Sequence, residues 1–417
     1  MPFGSDRPHQ AVILAGGRGS RLGTLTDDRP KPMVLVRGRP FLEYQIEQLR
    51  DQGFNRIVIL LGYMSEIVES YFGDGGKWGV DIQYSVSAAA NETSRRLRIA
   101  EPLLDDQFLL LYCDNYWPMQ IDKMWSRFLA AGVPAMVTVY NNTDGYTRDS
   151  VRVDPDGYVS VYDPTCTTPG LKGVEVSYAL IRKSALASSP DTNLSIGDAL
   201  YTPLARTREL AAYRTDHRYY SIGALHRLSA TDSFFERRPT VVIDRAVLQD
   251  DRVARGGAGC AADARQWLST ARARKAFHLL KEAGCRVIVF LGNDVGEQPA
   301  PGREGRITRA QTDAGSDIDA VYACGHHDEA DCDCTRTMLI HAQREFNLDL
   351  TRTLFIGHRT GTLAHSLDAL GCPSILRSSD IGLSEILRDV ITVPLDRWTQ
   401  RADSSDTDVP TQSSQQV

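Results

Sequence analysis

Residues 15–32 read AGGRGSRLGTLTDDRPKP, directly after the apolar run Ala11-Val12-Ile13-Leu14. Gly16, Gly17 and Gly19 strip side chains from the turn, so main-chain N–H groups can approach an anion closely. Leu14, Ala15, Arg18 and Ser20 complete the same candidate nucleotide loop, and Arg21 and Lys31 add positive charge beyond it. Amides and cations combined in this way suit a nucleoside triphosphate, whose departing pyrophosphate must be neutralised. No Gly-Lys-Ser/Thr follows the glycines, and their spacing is not G-x-G-x-x-G, so neither a P-loop nor a dinucleotide fingerprint is read here. A hard cation on the phosphates needs an oxygen ligand where open α/β sheets hold their ligands, at a strand's C-terminal end. Asp114, after Leu110-Leu111-Tyr112-Cys113, meets that need.

A second cluster points to another metal. Cys324, His326, Cys332 and Cys334 follow C-x-H-x5-C-x-C. Three thiolates and one imidazole close a tetrahedral Zn2+ shell with no open position, so this metal is expected to be structural, with His327 a spare donor. The other five cysteines are scattered and read as small buried residues.

These residues must be positioned by α/β elements. Strand-like runs at 11–15, 57–61, 108–112 and 135–139 alternate with helical patterns such as 41–52, where Leu42, Ile46 and Leu49 share a face. Such near-continuous apolar strands predict a parallel sheet covered on both faces. Residues 150–182 shift to short alternating runs with Asp-Gly and Pro-Gly turns and read as a β-rich lid. After a linker at 236–239 the alternation restarts. Strands are expected at 240–244, 286–291, 319–323 and 352–356, helices near 264–283, 336–347 and 361–370, and a long loop over 292–318. The tail 402–417 has almost no apolar residues and is expected to be disordered.

A length of 417 residues predicts two or three domains, and 42% hydrophobic with 24% charged residues is ordinary for a globular chain. A net charge of −6 argues against a general nucleic-acid or anionic-membrane surface. No apolar run reaches spanning length and the N-terminus lacks a signal-peptide pattern, so a cytoplasmic protein is expected.

The stretch G-G-x-G-x-R-L…P-K-P, with Gly38-Arg39-Pro40-Phe41-Leu42-Glu43-Tyr44-Gln45, resembles the sugar-1-phosphate nucleotidyltransferases, most of all the mannose- and heptose-1-phosphate guanylyltransferase branch. The resemblance covers roughly the first 230 residues. It implies that Leu14 to Ser20 bind nucleotide, that Arg21 and Lys31 hold phosphates, and that Asp114 holds Mg2+. It also implies a sugar-binding strand at Gly173-Val174-Glu175-Val176, with Glu175 on sugar hydroxyls and Lys172 reaching a phosphate. Two positions depart from the family's pattern. Where its small-residue loop faces base and sugar, this chain has Asn91-Glu92-Thr93-Ser94-Arg95-Arg96-Leu97, so Arg95 and Arg96 either crowd the loop or form a new phosphate clamp. Ser221 stands where a second metal-binding aspartate is usual.

Residues 239–395 resemble haloacid-dehalogenase-like phosphatases of the heptose bisphosphate and histidinol phosphate branch, through Thr240-Val241-Val242-Ile243-Asp244-Arg245 and the zinc loop. Their machinery is incomplete. Ala246 replaces the general acid, Gly292 and Thr335-Arg336-Thr337 stand where hydroxyl and lysine are expected, and Gly357-His358 replaces Gly-Asp. Asp244 is left as a vestigial nucleophile.

The reading is an α/β protein of two doubly wound, Rossmann-like domains. Residues 1–236 form a nucleotidyltransferase domain and 237–398 a haloacid-dehalogenase-like domain without activity. Mg2+ in the first and structural Zn2+ in the second are the implied cofactors. The expected reaction transfers NMP, GMP by branch resemblance, from an NTP to a heptose-, octose- or mannose-type sugar 1-phosphate. No nucleic-acid or membrane partner is expected, and a homo-oligomer is left open. A bifunctional enzyme or sugar bisphosphate phosphatase, and a nucleotide-binding scaffold, are the alternatives.

Overall fold

Seven strands build the main sheet of the first unit, four of them on the apolar runs read from the sequence. They are β1 (Gln10–Ala15), β2 (Arg56–Leu61), β3 (Asp81–Val86), β4 (Gln107–Tyr112), β5 (Ala135–Tyr140), β6 (Val174–Arg182) and β7 (Leu210–Thr215). In this computed structural model residues 7–188, 192–236, 238–244, 247, 271–291, 307–309, 317–324, 334–358 and 367–377 are described. The chain divides into two compact units, 1–236 and 237–417.

The first sheet has the order β7-β5-β6-β4-β1-β2-β3. Alternate β1 residues feed two cores: Ala11, Ile13 and Ala15 pack on one face, Val12 and Leu14 on the other. That period of two, apolar on both sides, is what a sheet covered by helices requires. α1 (Phe41–Asp51) places Leu42, Ile46 and Leu49 in the first of these cores. α2 (Ser65–Phe72), α3 (Thr93–Ile99) and α4 (Ile121–Ala131) follow, and α5 (Leu225–Phe235) stacks Phe234 on Tyr220 and Phe235 on Tyr44.

The sheet is mixed rather than parallel, and this corrects two expectations. β6 runs antiparallel to both β4 and β5, so residues 174–182 are a central strand and not part of a lid. Its Val176, Tyr178 and Leu180 fill one core and Ala179 and Ile181 the other, a burial that outweighs the turn chemistry around it. Within 150–182, Val151–Val153 and Val159–Tyr162 pair with each other apart from the main sheet. Strands β3 and β7, partly polar, were not read from the sequence.

The second unit carries β8 (Thr240–Asp244), α6 (Ala271–Glu282), β9 (Arg286–Phe290), β10 (Ile307–Arg309), β11 (Ala320–Cys324), α7 (Cys334–Phe346), β12 (Thr353–His358) and β13 (Ser374–Arg377). Its sheet order is β10-β11-β9-β8-β12-β13, parallel except for β10. The chain order reverses at β8, which is the doubly wound pattern. Strand β10 lies inside the stretch read as a long loop, and β13 was also not foreseen. Parts of the helices expected near 264–283 and 361–370, and the tail 402–417, lie outside the described residues. Among the described residues no helix is long and apolar enough to cross a membrane.

Candidate functional site

The glycine loop leaves β1 at Ala15. The carbonyl of Gly16 accepts the Tyr63 N–H at 3.2 Å and Arg96 Nη2–H at 3.2 Å. A Cβ at Gly16 would lie 2.2 Å from the Arg96 guanidinium carbon, so no other residue fits there without displacing that side chain. Gly19 adopts a left-handed φ of 70°, and its Cβ would lie 3.0 Å from Lys31 Cβ. Beyond it Leu22 N–H donates to the Gly19 carbonyl at 3.0 Å, closing a tight turn. Gly17, Arg18 and Ser20 are exposed, and among the described residues the amides of Gly17, Arg18 and Gly19 make no hydrogen bond. Arg18 lies over the Tyr63 ring at 5.3 Å, and Arg21 is exposed. The turn therefore presents unengaged donors with two arginines at its rim, an arrangement that favours an anion.

Lys31 and Asp114, far apart in sequence, form an ion pair. The Lys31 and Asp114 side chains are only 13% and 16% exposed. Asp114 is held from three directions. Cys113 N–H donates to the Leu14 carbonyl at 3.1 Å, and Ile222 N–H to the Asp114 carbonyl at 3.0 Å. Gln45, fully buried on α1, donates through Nε2 to the carbonyls of Tyr112 and Asn115, both at 2.8 Å. A short bridge, Tyr220–Ser221 against Asn115–Tyr116, then brings Ser221 and Gly223 over the pair. A Cβ on Gly223 would lie 3.1 Å from Ser221 Oγ, 3.4 Å from Asp114 Oδ2 and 3.9 Å from Lys31 Nζ. Ser221 Oγ accepts the Gly223 N–H at 3.0 Å.

This donor set can be tested against Mg2+. Asp114 supplies a carboxylate, and the Lys31 ammonium stands against its Oδ2 where a cation would sit. A single carboxylate suits Mg2+, which keeps several waters and takes phosphate oxygens, and does not make an all-protein cage. Asp114 would hold the ion.

Glu175 flanks the pair across a bulge in β6, where Ser177 has φ 69° and the register against β5 shifts. The bulge turns Ser177 Oγ to accept Asn115 Nδ2–H at 3.0 Å and lets Ser177 N–H donate to Glu175 Oε1. Burial, with the Asp114 charge nearby, pushes the Glu175 carboxyl up to about 7, against the opposing Ser177 N–H. Tyr112, Tyr162 and Tyr201 are pushed up by burial and next by the charge of Glu175. Lys172 is exposed and makes no ion pair among the described residues.

The structure settles the two readings of Arg96. Its Nη1 donates to the Leu61 carbonyl at 2.7 Å and Ser87 Oγ at 3.0 Å. Its Nη2 donates to the carbonyls of Gly16, Ala88 and Ala89 at 3.2, 3.1 and 3.1 Å. The side chain is 4% exposed, so it is a buried staple joining three loops and not a phosphate clamp. Burial lowers its affinity for the proton. The buried glutamine and the tyrosines went unread as site elements, and Arg96 was read without its carbonyl partners. Gln45 and Gln48, polar among the buried residues of α1, and Arg96, a departure from the family's pattern, were the signals the sequence held.

In the second unit Asp244 ends β8, and a Cβ on Gly357 of β12 would lie 3.5 Å from Asp244 Cβ. Cys324 closes β11 and Cys334 opens α7. Their side chains, with His326 and Cys332, lie outside the described residues.

The nucleotidyl transferase family model matches residues 10–147, the span holding the glycine loop, Lys31 and Asp114. The N-acetylmuramate α-1-phosphate uridylyltransferase of Neisseria meningitidis is 40% identical over 166 residues, 39% of this chain and 69% of that protein. The UTP–glucose-1-phosphate uridylyltransferase AglF of Haloferax volcanii is 39% identical over 118 residues, 28% of this chain and 48% of the relative. The D-glycero-α-D-manno-heptose 1-phosphate guanylyltransferase of Campylobacter jejuni is 30% identical over 115 residues, 28% of this chain and 52% of the relative. The matches thus span about half the length of these last two. Their names differ in base and sugar and agree in reaction class. The chain belongs to the nucleotidyl transferase family, within the sugar-1-phosphate nucleotidyltransferases.

Proposed function

We propose that the first unit transfers a nucleoside monophosphate from an NTP to a sugar 1-phosphate and releases pyrophosphate. The observation that carries this is the Lys31–Asp114 pair set beside a glycine turn whose amides are unengaged. In such a reaction a phosphate oxygen of the sugar attacks the α-phosphorus in line and pyrophosphate departs, so the protein's work is positioning and charge neutralisation. The turn amides and Arg21 hold the departing phosphates, Lys31 neutralises charge as it develops, and Glu175 grips sugar hydroxyls. Mg2+, when held by Asp114, would supply Lewis-acid neutralisation of the phosphate oxygens.

GTP and a heptose-type sugar are the preferred pair, supported by the branch-like Gly38–Gln45 segment and by the heptose 1-phosphate guanylyltransferase among the relatives. Uridylyltransferase relatives make UTP the competing nucleotide. Pyrophosphate release measured across GTP, UTP, CTP and dTTP, with hexose, heptose and octose 1-phosphates, decides between them. No turnover with any pair defeats the proposal.

For the second unit we propose a haloacid-dehalogenase-type frame with structural zinc on Cys324, His326, Cys332 and Cys334. It is supported by the reversal of strand order at β8, by Asp244 at that strand's end, and by the ligand spacing. Its missing acids argue for a silent domain; a phosphatase would release inorganic phosphate from a sugar bisphosphate. Metal analysis of the purified chain should find about one zinc per protein.

A further inference from the structure

Lys31 is confined along its whole length. Gly19 of the glycine turn leaves its stem only 3.0 to 3.4 Å, measured from a Cβ placed there to Lys31 Cβ, Cγ and Cδ. At the other end the ammonium meets Asp114 beneath Gly223. One side chain thus touches both the anion-binding turn and the carboxylate suited to a divalent ion. Asp114 contacts no other cation among the described residues. A buried carboxylate needs such a counterion, because burying an unpaired charge is costly.

Lys31 and Asp114 together are neutral, so a divalent ion entering alone would meet an ammonium at contact distance in a largely desolvated place. A polyphosphate on the turn changes this, since it offers the ammonium several oxygens and leaves the carboxylate for the metal. We propose that Lys31 is an occupancy gate: its ammonium bars divalent ions from Asp114 until phosphates on the glycine turn draw it away, so metal and polyphosphate enter together. The proposal rests on the nucleotidyl transfer reading for the nature of the anion, and deepens it by assigning an order to the site.

The test is Mn2+ retained by the protein in equilibrium dialysis, with inorganic tripolyphosphate as a base-independent probe. Wild type should retain no Mn2+ alone and about one ion per chain with tripolyphosphate. Lys31→Gln and Lys31→Met should retain Mn2+ alone, with affinity raised by about tenfold or more over wild type. Adding Asp114→Asn to either variant should abolish that gain. Wild type that retains Mn2+ alone as tightly as the Lys31 variants, or is indifferent to tripolyphosphate, overturns the gate. The wild-type arms decide even if both variants fail to fold, which thermal unfolding reports. Failure of the transfer reading looks different: tripolyphosphate recruits Mn2+, and no NTP does.

Discussion

Each of the two sheets ends a buried strand in an aspartate, yet the surroundings differ. Asp114 follows β4 and is met by Lys31 from the loop after β1 and by Ser221 and Gly223 from a late bridge. Asp244 closes β8 at the point where strand order reverses, against the backbone of β12 at Gly357. Topology alone places an acid at the open end of a sheet. At Asp114 a cation and turns from distant segments converge on the acid.

Breaking the first acid should have the largest effect. Asp114→Asn should lower kcat for pyrophosphate release by about 10²–10³-fold, the size expected when a preorganised charge is removed. Asp244→Asn supplies the contrast: pyrophosphate release should stay within about twofold of wild type, since substitutions away from the chemistry change little. A larger loss would tie the second unit to the transfer reaction.

Next in size is the staple beneath the first site. Arg96→Ala takes a charged donor from four carbonyls and opens space beside Gly16, so stability should fall by about 3 kcal/mol, read as a lower urea midpoint. Arg96→Lys should recover only part, because an ammonium cannot span the same acceptors as a planar fork.

Glu175 sharpens the comparison through pH. Its folded carboxyl titrates near 7 instead of 4.5, so the folded state holds the proton more tightly. Its contribution to stability is complete below the ordinary value and is lost as pH rises through about 7. Glu175→Gln should flatten that window and leave the protein more stable at pH 8, by about 1–3 kcal/mol in chemical denaturation. Smallest of all, Lys172→Ala should shift stability by no more than about 0.5 kcal/mol, because the side chain is exposed and unpaired among the described residues.

The glycine turn after β1 and the strand end before Asp114 were legible because their signals are local: glycines mark close approach, and an acid after an apolar run marks a strand's end. Strand β6 was misread because Asp-Gly and Pro-Gly turns dominate its neighbourhood, while its burial depends on partners more than 30 residues away. Arg96 was legible as an oddity and not as a staple, since its acceptors are backbone carbonyls of three other segments.

The order of amino acids by itself determined the apolar strands, the glycine turn and the family, because each rests on residue types within a few positions of one another. Only the tertiary structure decided that Lys31 stands on Asp114, that Arg96 is consumed by carbonyls, and that the Ser177 N–H meets Glu175 across a bulge. Those outcomes depend on charge and burial among segments that meet in space, and no local spacing encodes them.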